Sequence, residues 1–109
     1  MTPDELCEVI VTAPDRDWLE DLCQQLVGAR LASSAHIISP ITSVYRWHDE
    51  VRRTTEARAF LRSRLELVQR LAAFVKERHP YEVPNITAVP IVAGNDAYLE
   101  WIRAETDTN

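Results

Sequence analysis

Apolar and polar positions alternate from Leu6 to Ala13. Cys7, Val9, Val11 and Ala13 fall on one side; Glu8, Ile10 and Thr12 fall on the other. That period of two, with β-branched residues, predicts a first strand. Ala13-Pro14-Asp15 breaks it. Asp15 then suits an N-cap, and Trp18, Leu19, Leu22, Cys23, Leu26 and Val27 recur at helical spacing, which predicts a first helix. Gly28 inside this segment weakens it by up to ~1 kcal/mol relative to Ala, so fraying is expected there. Leu31 to Trp47 carries no helical stripe and is expected to be an extended strand, bent or bulged at Pro40, which cannot donate to a ladder. His48-Asp49-Glu50 is the expected turn. Lacking Asn-Gly or Asp-Gly, it reads as a longer loop rather than a two-residue turn.

Val51 to Arg62 returns as a third strand. Val51, Arg53, Thr55, Ala57, Ala59 and Leu61 share one face; Arg52, Thr54, Glu56, Arg58, Phe60 and Arg62 share the other. Both faces are mixed, so this strand should leave solvent only towards its C-terminal half. Ser63-Arg64-Leu65-Glu66 has the form of a capping box, followed by a stripe of Leu67, Val68, Leu71, Phe74 and Val75 that predicts a second helix. His79-Pro80 stops it. Ile86 to Val92 is the last strand, with Pro90 placing it at an edge or a bulge. Gly94-Asn95-Asp96 opens a final helix bearing Tyr98, Trp101, Ile102 and Glu105, and residues 106–109 read as a frayed tail.

The order β-α-β-β-α-β-α is that of an α+β, ferredoxin-like sandwich: one antiparallel sheet, two helices on one face, a long hairpin between the second and third strands, and an extra C-terminal helix. Strands of about 12–17 residues exceed the usual 5–6. Helices can cover one sheet face only, yet Ile10, Ile37, Val44 and Phe60 do not all fit beneath them. A small chain with an over-long hairpin and spare apolar residues hides them by association, so a homo-oligomer is expected.

The remaining features narrow the function. With 109 residues, the chain suits one domain, 1–109, with its core over about 6–104, and buries roughly two-thirds of its unfolded surface. A net charge of -5 argues against nucleic acid, which calls for a basic stripe, and against an anionic membrane surface. No apolar run reaches ~18 residues, so no membrane span is expected. Met1 to Glu5 is acidic where a signal peptide is basic, and a cytoplasmic location follows. Cys7 and Cys23, the only cysteines, lack metal or redox spacing and are expected as buried thiols. No G-x-S-x-G, H-E-x-x-H or phosphate-cradling loop occurs, and no enzyme is expected.

The most constrained stretch is Arg78-His79-Pro80-Tyr81-Glu82-Val83-Pro84. Pro80 and Pro84 restrict the residues before them and stiffen a loop that displays His, Tyr and Glu. Two readings stand for each. His79 is a helix-capping histidine or a ligand. Glu82 is an ion-pair partner for Arg30, Arg62 or Arg78, or a carboxylate ligand. Tyr81 is a packing or interface aromatic, or a wall of a ligand cleft. Tyr45 and Trp47 read as hairpin and interface aromatics.

Several of these stretches together carry a resemblance. Thr12-Ala13-Pro14-Asp15, Arg30-Leu31-Ala32, Thr42-Ser43-Val44-Tyr45-Arg46-Trp47, Arg62-Ser63, His79-Pro80-Tyr81-Glu82-Val83-Pro84 and Gly94-Asn95-Asp96-Ala97-Tyr98-Leu99-Glu100-Trp101 stand in one order. The chain resembles the CutA family of divalent-cation tolerance proteins across about residues 6–104. The resemblance implies a ferredoxin-like subunit, a tight homotrimer and tolerance to divalent metals, copper in particular. It makes His79 and Glu82 the candidate ligands for Cu(II) or another divalent cation, with no cofactor required. The family's cysteine before T-A-P-D is Val11 here. Its cysteine after the first helix is Ser34, and the first of its paired histidines is Arg78. One imidazole beside an arginine is a poor copper site. An alternative is a PII-like small-ligand sensor of the same fold, with Arg62, Arg78, Tyr81, His79 and Glu82 along a subunit cleft. A trimeric scaffold for partner proteins is another.

Overall fold

The computed structural model describes residues 5–107. The acidic start, up to residue 4, and the tail at 108–109 lie outside the described residues. The first strand, β1 (Leu6–Ala13), and the first helix, α1 (Arg16–Gly28), stand where the pattern predicts them. Asp15 caps α1 by accepting from the Trp18 amide. Gly28 is the last helical residue, so its flexibility falls at the helix end. The chain reverses at Arg30, whose φ of 62° is left-handed. Arg30 and Leu31 donate their amides to the Val27 and Leu26 carbonyls at 3.1 and 3.0 Å, a Schellman stop in which arginine takes the usual glycine place.

Three residues taken for strand are spent on that reversal and its exit. The second strand, β2, is therefore Ser34–Trp47, and the third, β3, is Glu50–Arg64. The ladder shifts register between Ile38 and Ile41, around Pro40, as its missing donor requires. The hairpin turn corrects the expectation of a longer loop. Trp47 pairs with Glu50 across only His48 and Asp49, which have φ of 50° and 65°. Two positive φ angles are what a tight primed turn needs, and His and Asp are among the non-glycine residues that tolerate them.

Ser63 is no helix cap. It lies in β3 opposite Cys7, buried, and its hydroxyl donates to the Leu31 carbonyl at 2.7 Å. A 3-10 turn over Leu65–Leu67 starts instead from Arg64, without a side-chain cap, and leads into the second helix, α2 (Val68–Lys76). The last strand, β4 (Ile86–Pro90), stops two residues short of the expected end, at Pro90. The final helix, α3 (Asp96–Glu105), is capped by Asn95. Thr106 is held rather than frayed: it is buried, and its hydroxyl donates to the Ile102 carbonyl and accepts from Arg64 Nε.

The sheet is antiparallel throughout, in the order β2-β3-β1-β4. This is the ferredoxin-like arrangement, with β4 at an edge as Pro90 requires. Cys7, Val9, Val11 and Ala13 of β1 and Ala57, Ala59 and Leu61 of β3 meet Leu19, Leu22, Cys23 and Leu26 of α1 and Leu71 and Val75 of α2 in one core. Ile37 packs against that core too, opposite Ala59. It therefore leaves the list of uncovered residues, whereas Val44 stays 67% exposed. The far half of the hairpin projects beyond the helices, and Val51, opposite Arg46, is 68% exposed. The chain measures 43 × 25 × 22 Å, with a radius of gyration of 14.5 Å, against about 13 Å for a compact chain of this size.

Candidate functional site

In the loop after α2, His79 turns in towards the sheet while residues 80–83 stay exposed. The His79 amide closes the helix on the Val75 carbonyl at 2.8 Å, and Pro80 prevents another turn. The His79 ring then turns towards the end of β1. Its Nε2 lies 2.8 Å from the Thr12 carbonyl oxygen, and its Nδ1 lies 3.0 Å from the Tyr81 amide. The carbonyl accepts only and the amide donates only. The arrangement therefore suits one tautomer, with the proton on Nε2. His79 is 8% exposed. Trp18 of α1 packs edge-on to its ring at 5.3 Å, and the Tyr81 ring lies 5.0 Å away.

Tyr81 carries the chain of contacts to β3. Its hydroxyl donates to Glu56 Oε2 at 2.9 Å. Burial, and then the hydrogen bond and negative charge of Glu56, push the Tyr81 phenol up to about 12, so it remains a donor at neutral pH. Glu56 is 6% exposed. Trp18, His79, Tyr81 and Glu56 thus fasten α1, the loop and β3 to one another.

Beside this cluster a cleft of about 880 Å³ opens between the outer half of the hairpin and residues 81–85. Tyr45, Trp47, Glu56, Arg58, Tyr81 and Glu82 line it. The guanidinium of Arg58 lies 5.1 Å from the centre of the Phe60 ring, and its buried Nε has no hydrogen-bond partner. Glu82 makes no ion pair or hydrogen bond among the described residues.

Of the residues singled out from sequence, Tyr45, Trp47, Tyr81 and Glu82 come together in the cleft. His79 stands behind Tyr81 with both ring nitrogens engaged. The two cleft arginines proposed from sequence are elsewhere. Arg62 pairs with Glu8 at 3.0 Å on the open sheet face. Arg78 lies over the Phe74 ring and donates to the Phe74 carbonyl at 2.8 Å. Arg30 reaches the Ala104 and Glu105 carbonyls at the end of α3. None of these three pairs with Glu82. Sequence reasoning missed Glu56 and Arg58. Their signal was present: a carboxylate and a guanidinium two residues apart on one face of the third strand, Arg58 in the half expected to leave solvent and Glu56 at its border. The Thr12 contribution is a backbone carbonyl, which no side-chain pattern reveals.

Among the described residues no group of three or more His, Cys, Asp or Glu side chains is placed to hold a metal ion. The donor set at the loop does not fit a copper centre. A metal at either nitrogen of His79 displaces a hydrogen bond, and Glu82 is the one carboxylate of the loop. The two thiols are no substitute. Burial, and then the nearby Glu5 and Glu20 charges, push Cys7 and Cys23 up to about 11 each, so both stay protonated, unreactive core side chains. No helix among the described residues is long and apolar enough to cross a membrane.

Comparison with known proteins agrees over nearly the whole chain. The family described as CutA1 divalent ion tolerance protein matches residues 7–105. The divalent-cation tolerance protein CutA of Thermus thermophilus is 37% identical over 90% of this chain and 95% of its own length. Human protein CutA is 32% identical over 97% of this chain, which spans 59% of that longer protein. The crystal structure of CutA1 from Oryza sativa superposes with a TM-score of 0.93 at 32% identity, covering 100% of both chains.

Proposed function

This chain belongs to the CutA1 family of divalent ion tolerance proteins, and from that premise we propose that it acts in the response to divalent cations as a non-catalytic homotrimer in the cytoplasm. The observation that carries the trimer is the projecting hairpin. Val44 and Val51 are 67% and 68% exposed, on strands of 14 and 15 residues that outrun the helices packed on them. Two free, buried cysteines suit a reducing compartment. The loop chemistry bears on the metal part of the proposal. With His79 committed to Thr12 and Tyr81, Cu(II) has no strong site at His79, and any direct binding is weak. Sedimentation equilibrium at micromolar concentration tests the assembly. A mass of three 12.5 kDa chains is expected; a single-chain mass overturns it. Calorimetric titration with Cu(II) tests the metal part, with binding no tighter than tens of micromolar expected and unchanged in His79→Ala. Submicromolar binding abolished by that substitution reverses it.

A second reading, a PII-like sensor of a small ligand, is favoured by the cleft. Its 880 Å³ falls within the about 300–1,000 Å³ of small-molecule sites, and aromatic walls and charged groups converge on it. The scaffold reading has no comparable observation behind it.

A further inference from the structure

The side of the sheet that faces α1 and α2 continues along the hairpin with no helix on it. Beyond Ala57 it carries three cross-strand pairs, Thr42–Thr55, Val44–Arg53 and Arg46–Val51, and all six residues are exposed. Two valines thus share the patch with two arginines. Among the described residues no carboxylate pairs with Arg46 or Arg53, whereas Arg52, on the other side of the hairpin, reaches Glu50 at 3.6 Å. An apolar, basic patch is complemented by an apolar, acidic one.

The outer face of α3 has that character. The exposed side of α1 is polar, with Asp17, Asp21, Gln24 and Gln25, and that of α2 carries Gln69, Arg70 and Lys76 around a single alanine. On the open sheet face Glu8 is already paired with Arg62. On α3, by contrast, Ala97, Trp101 and Ala104 are exposed along one side, and Asp96 and Glu100 along the next. Trp101 is 40% exposed, and Val92, just ahead of the helix, is 95% exposed. Like charges one turn apart disfavour a lone helix, and Glu100 has an exposed 3.4 Å contact with Arg103 to offset this. The two patches lie at opposite ends of the chain. Arg64 Nε donates to the Thr106 hydroxyl at 3.0 Å, which sets the end of α3 beside the Leu6–Arg64 end of the β1–β3 ladder. The hairpin tip lies past the other end, at Ala13–Ala57. In a chain 43 Å long they do not serve each other.

We propose that the hairpin of one copy lies across α3 of the next. Val44 and Val51 cover Ala97, Trp101 and Ala104, and the Arg46 and Arg53 guanidiniums meet the Asp96 and Glu100 carboxylates. Two different patches make a head-to-tail contact, which closes into a ring when the rotation allows. The contact rests on the trimer proposed above and specifies its receiving surface and the charges that select it. Charge-assisted pairs across a boundary fix register and partner more than raw affinity.

Charge reversal in the full chain tests it. One variant carries Arg46→Glu and Arg53→Glu, a second Asp96→Lys and Glu100→Lys, and a third all four. Sedimentation velocity, in the urea concentration that half-dissociates the unmodified trimer at micromolar chain, reads the midpoint of assembly. Each two-site variant is expected to raise that midpoint about tenfold or more, because like charges then face each other. The four-site variant is expected to return to within about threefold of the unmodified chain. All four positions are exposed, so each variant should fold. If one does not, salt decides: 0.5 M NaCl should weaken the unmodified trimer, and indifference to salt overturns the ion pairs. A trimer untouched by both reversals, or no recovery in the four-site variant, overturns the contact and leaves the trimer standing. Recovery of the hairpin variant by Glu82→Lys instead overturns it in favour of the loop at 81–83. A single-chain mass for the unmodified protein overturns both.

Discussion

Replacing His79 separates an architectural role from a metal-binding one. In His79→Ala two hydrogen bonds disappear. The Thr12 carbonyl, 2.8 Å from Nε2, loses its donor, and the Tyr81 amide, 3.0 Å from Nδ1, loses its acceptor. Leaving a buried polar group unanswered costs about 1–3 kcal/mol. The Tyr81 amide is only part-buried and recovers some of its bond from water, so it belongs at the low end of that range. The ring contacts with Trp18 and Tyr81 at 5.3 and 5.0 Å add about 0.5–1.5 kcal/mol. The total is about 2.5–5.5 kcal/mol. At a urea slope of ~1.5 kcal/mol per molar, the unfolding midpoint falls by about 1.7–3.7 M. Gln at 79 reaches the Thr12 carbonyl with its amide, and Asn accepts from the Tyr81 amide, so both should fall between wild type and Ala. Urea unfolding followed by circular dichroism, at one chain concentration because assembly contributes to stability, reads the series. An alanine variant within 0.5 kcal/mol of wild type refutes the reasoning, because a ring exposed for metal capture carries no such burden.

Ser63→Ala is expected to cost about 1–3 kcal/mol through the buried Leu31 carbonyl it abandons, whereas Glu66→Ala should stay within about 0.5 kcal/mol. The reverse order in urea unfolding would restore Ser63 as a helix cap. Ile102→Ala removes the fully buried anchor of α3 and should cost about 2–5 kcal/mol; a loss below 1 kcal/mol would show that α3 is not held by its core contact. Alkaline stability follows from the raised acids. Cys7 and Cys23 stand near 11 and Tyr81 near 12 in the fold, against 9.0 and 10.0 for the free groups. The unfolded chain therefore gives up these protons first, and stability falls as pH rises from about 9, with the tyrosine adding to the loss above about 10. Urea midpoints at pH 8, 9.5 and 10.5 should decline in that order; a flat or rising series contradicts the burial of Cys7 and Cys23 and the Tyr81–Glu56 hydrogen bond.

Much of the fold was legible because its signals are local. Period two in β1, the Asp15 cap and the α2 stripe each act over a few residues, and each element formed close to where it was expected. The register shift at Pro40 and the edge position of Pro90 followed from a missing amide. The turn at His48-Asp49 was misread because the ladders on both sides hold the chain in register to its tip, overriding the weaker preferences of the two turn residues. Ser63 was misread for a similar reason. Its capping pattern is real in one dimension, but Cys7 across the ladder and the Leu31 carbonyl above it claim the residue first. The cleft was half legible. Tyr81 and Glu82 were placed at a ligand cleft, whereas Tyr45 and Trp47 were expected as hairpin and interface aromatics. Arg62 and Arg78 were assigned to a subunit cleft with the PII-like reading, before their contacts with Glu8 and Phe74 could be seen. Glu56 and Arg58 depend on a loop 25 residues away in sequence for Glu56, a relation that only the folded chain displays.

The central claim is that His79 serves the architecture of the loop, with both ring nitrogens committed. Nitrogen-15 NMR of the imidazole tests it most directly, because it reports the proton on each nitrogen separately. The account predicts a protonated Nε2 and a bare, hydrogen-bonded Nδ1 at neutral pH. It also predicts His79 signals that survive one equivalent of Cu(II) without broadening. A ring exchanging between tautomers, or selectively broadened by stoichiometric copper, would contradict it.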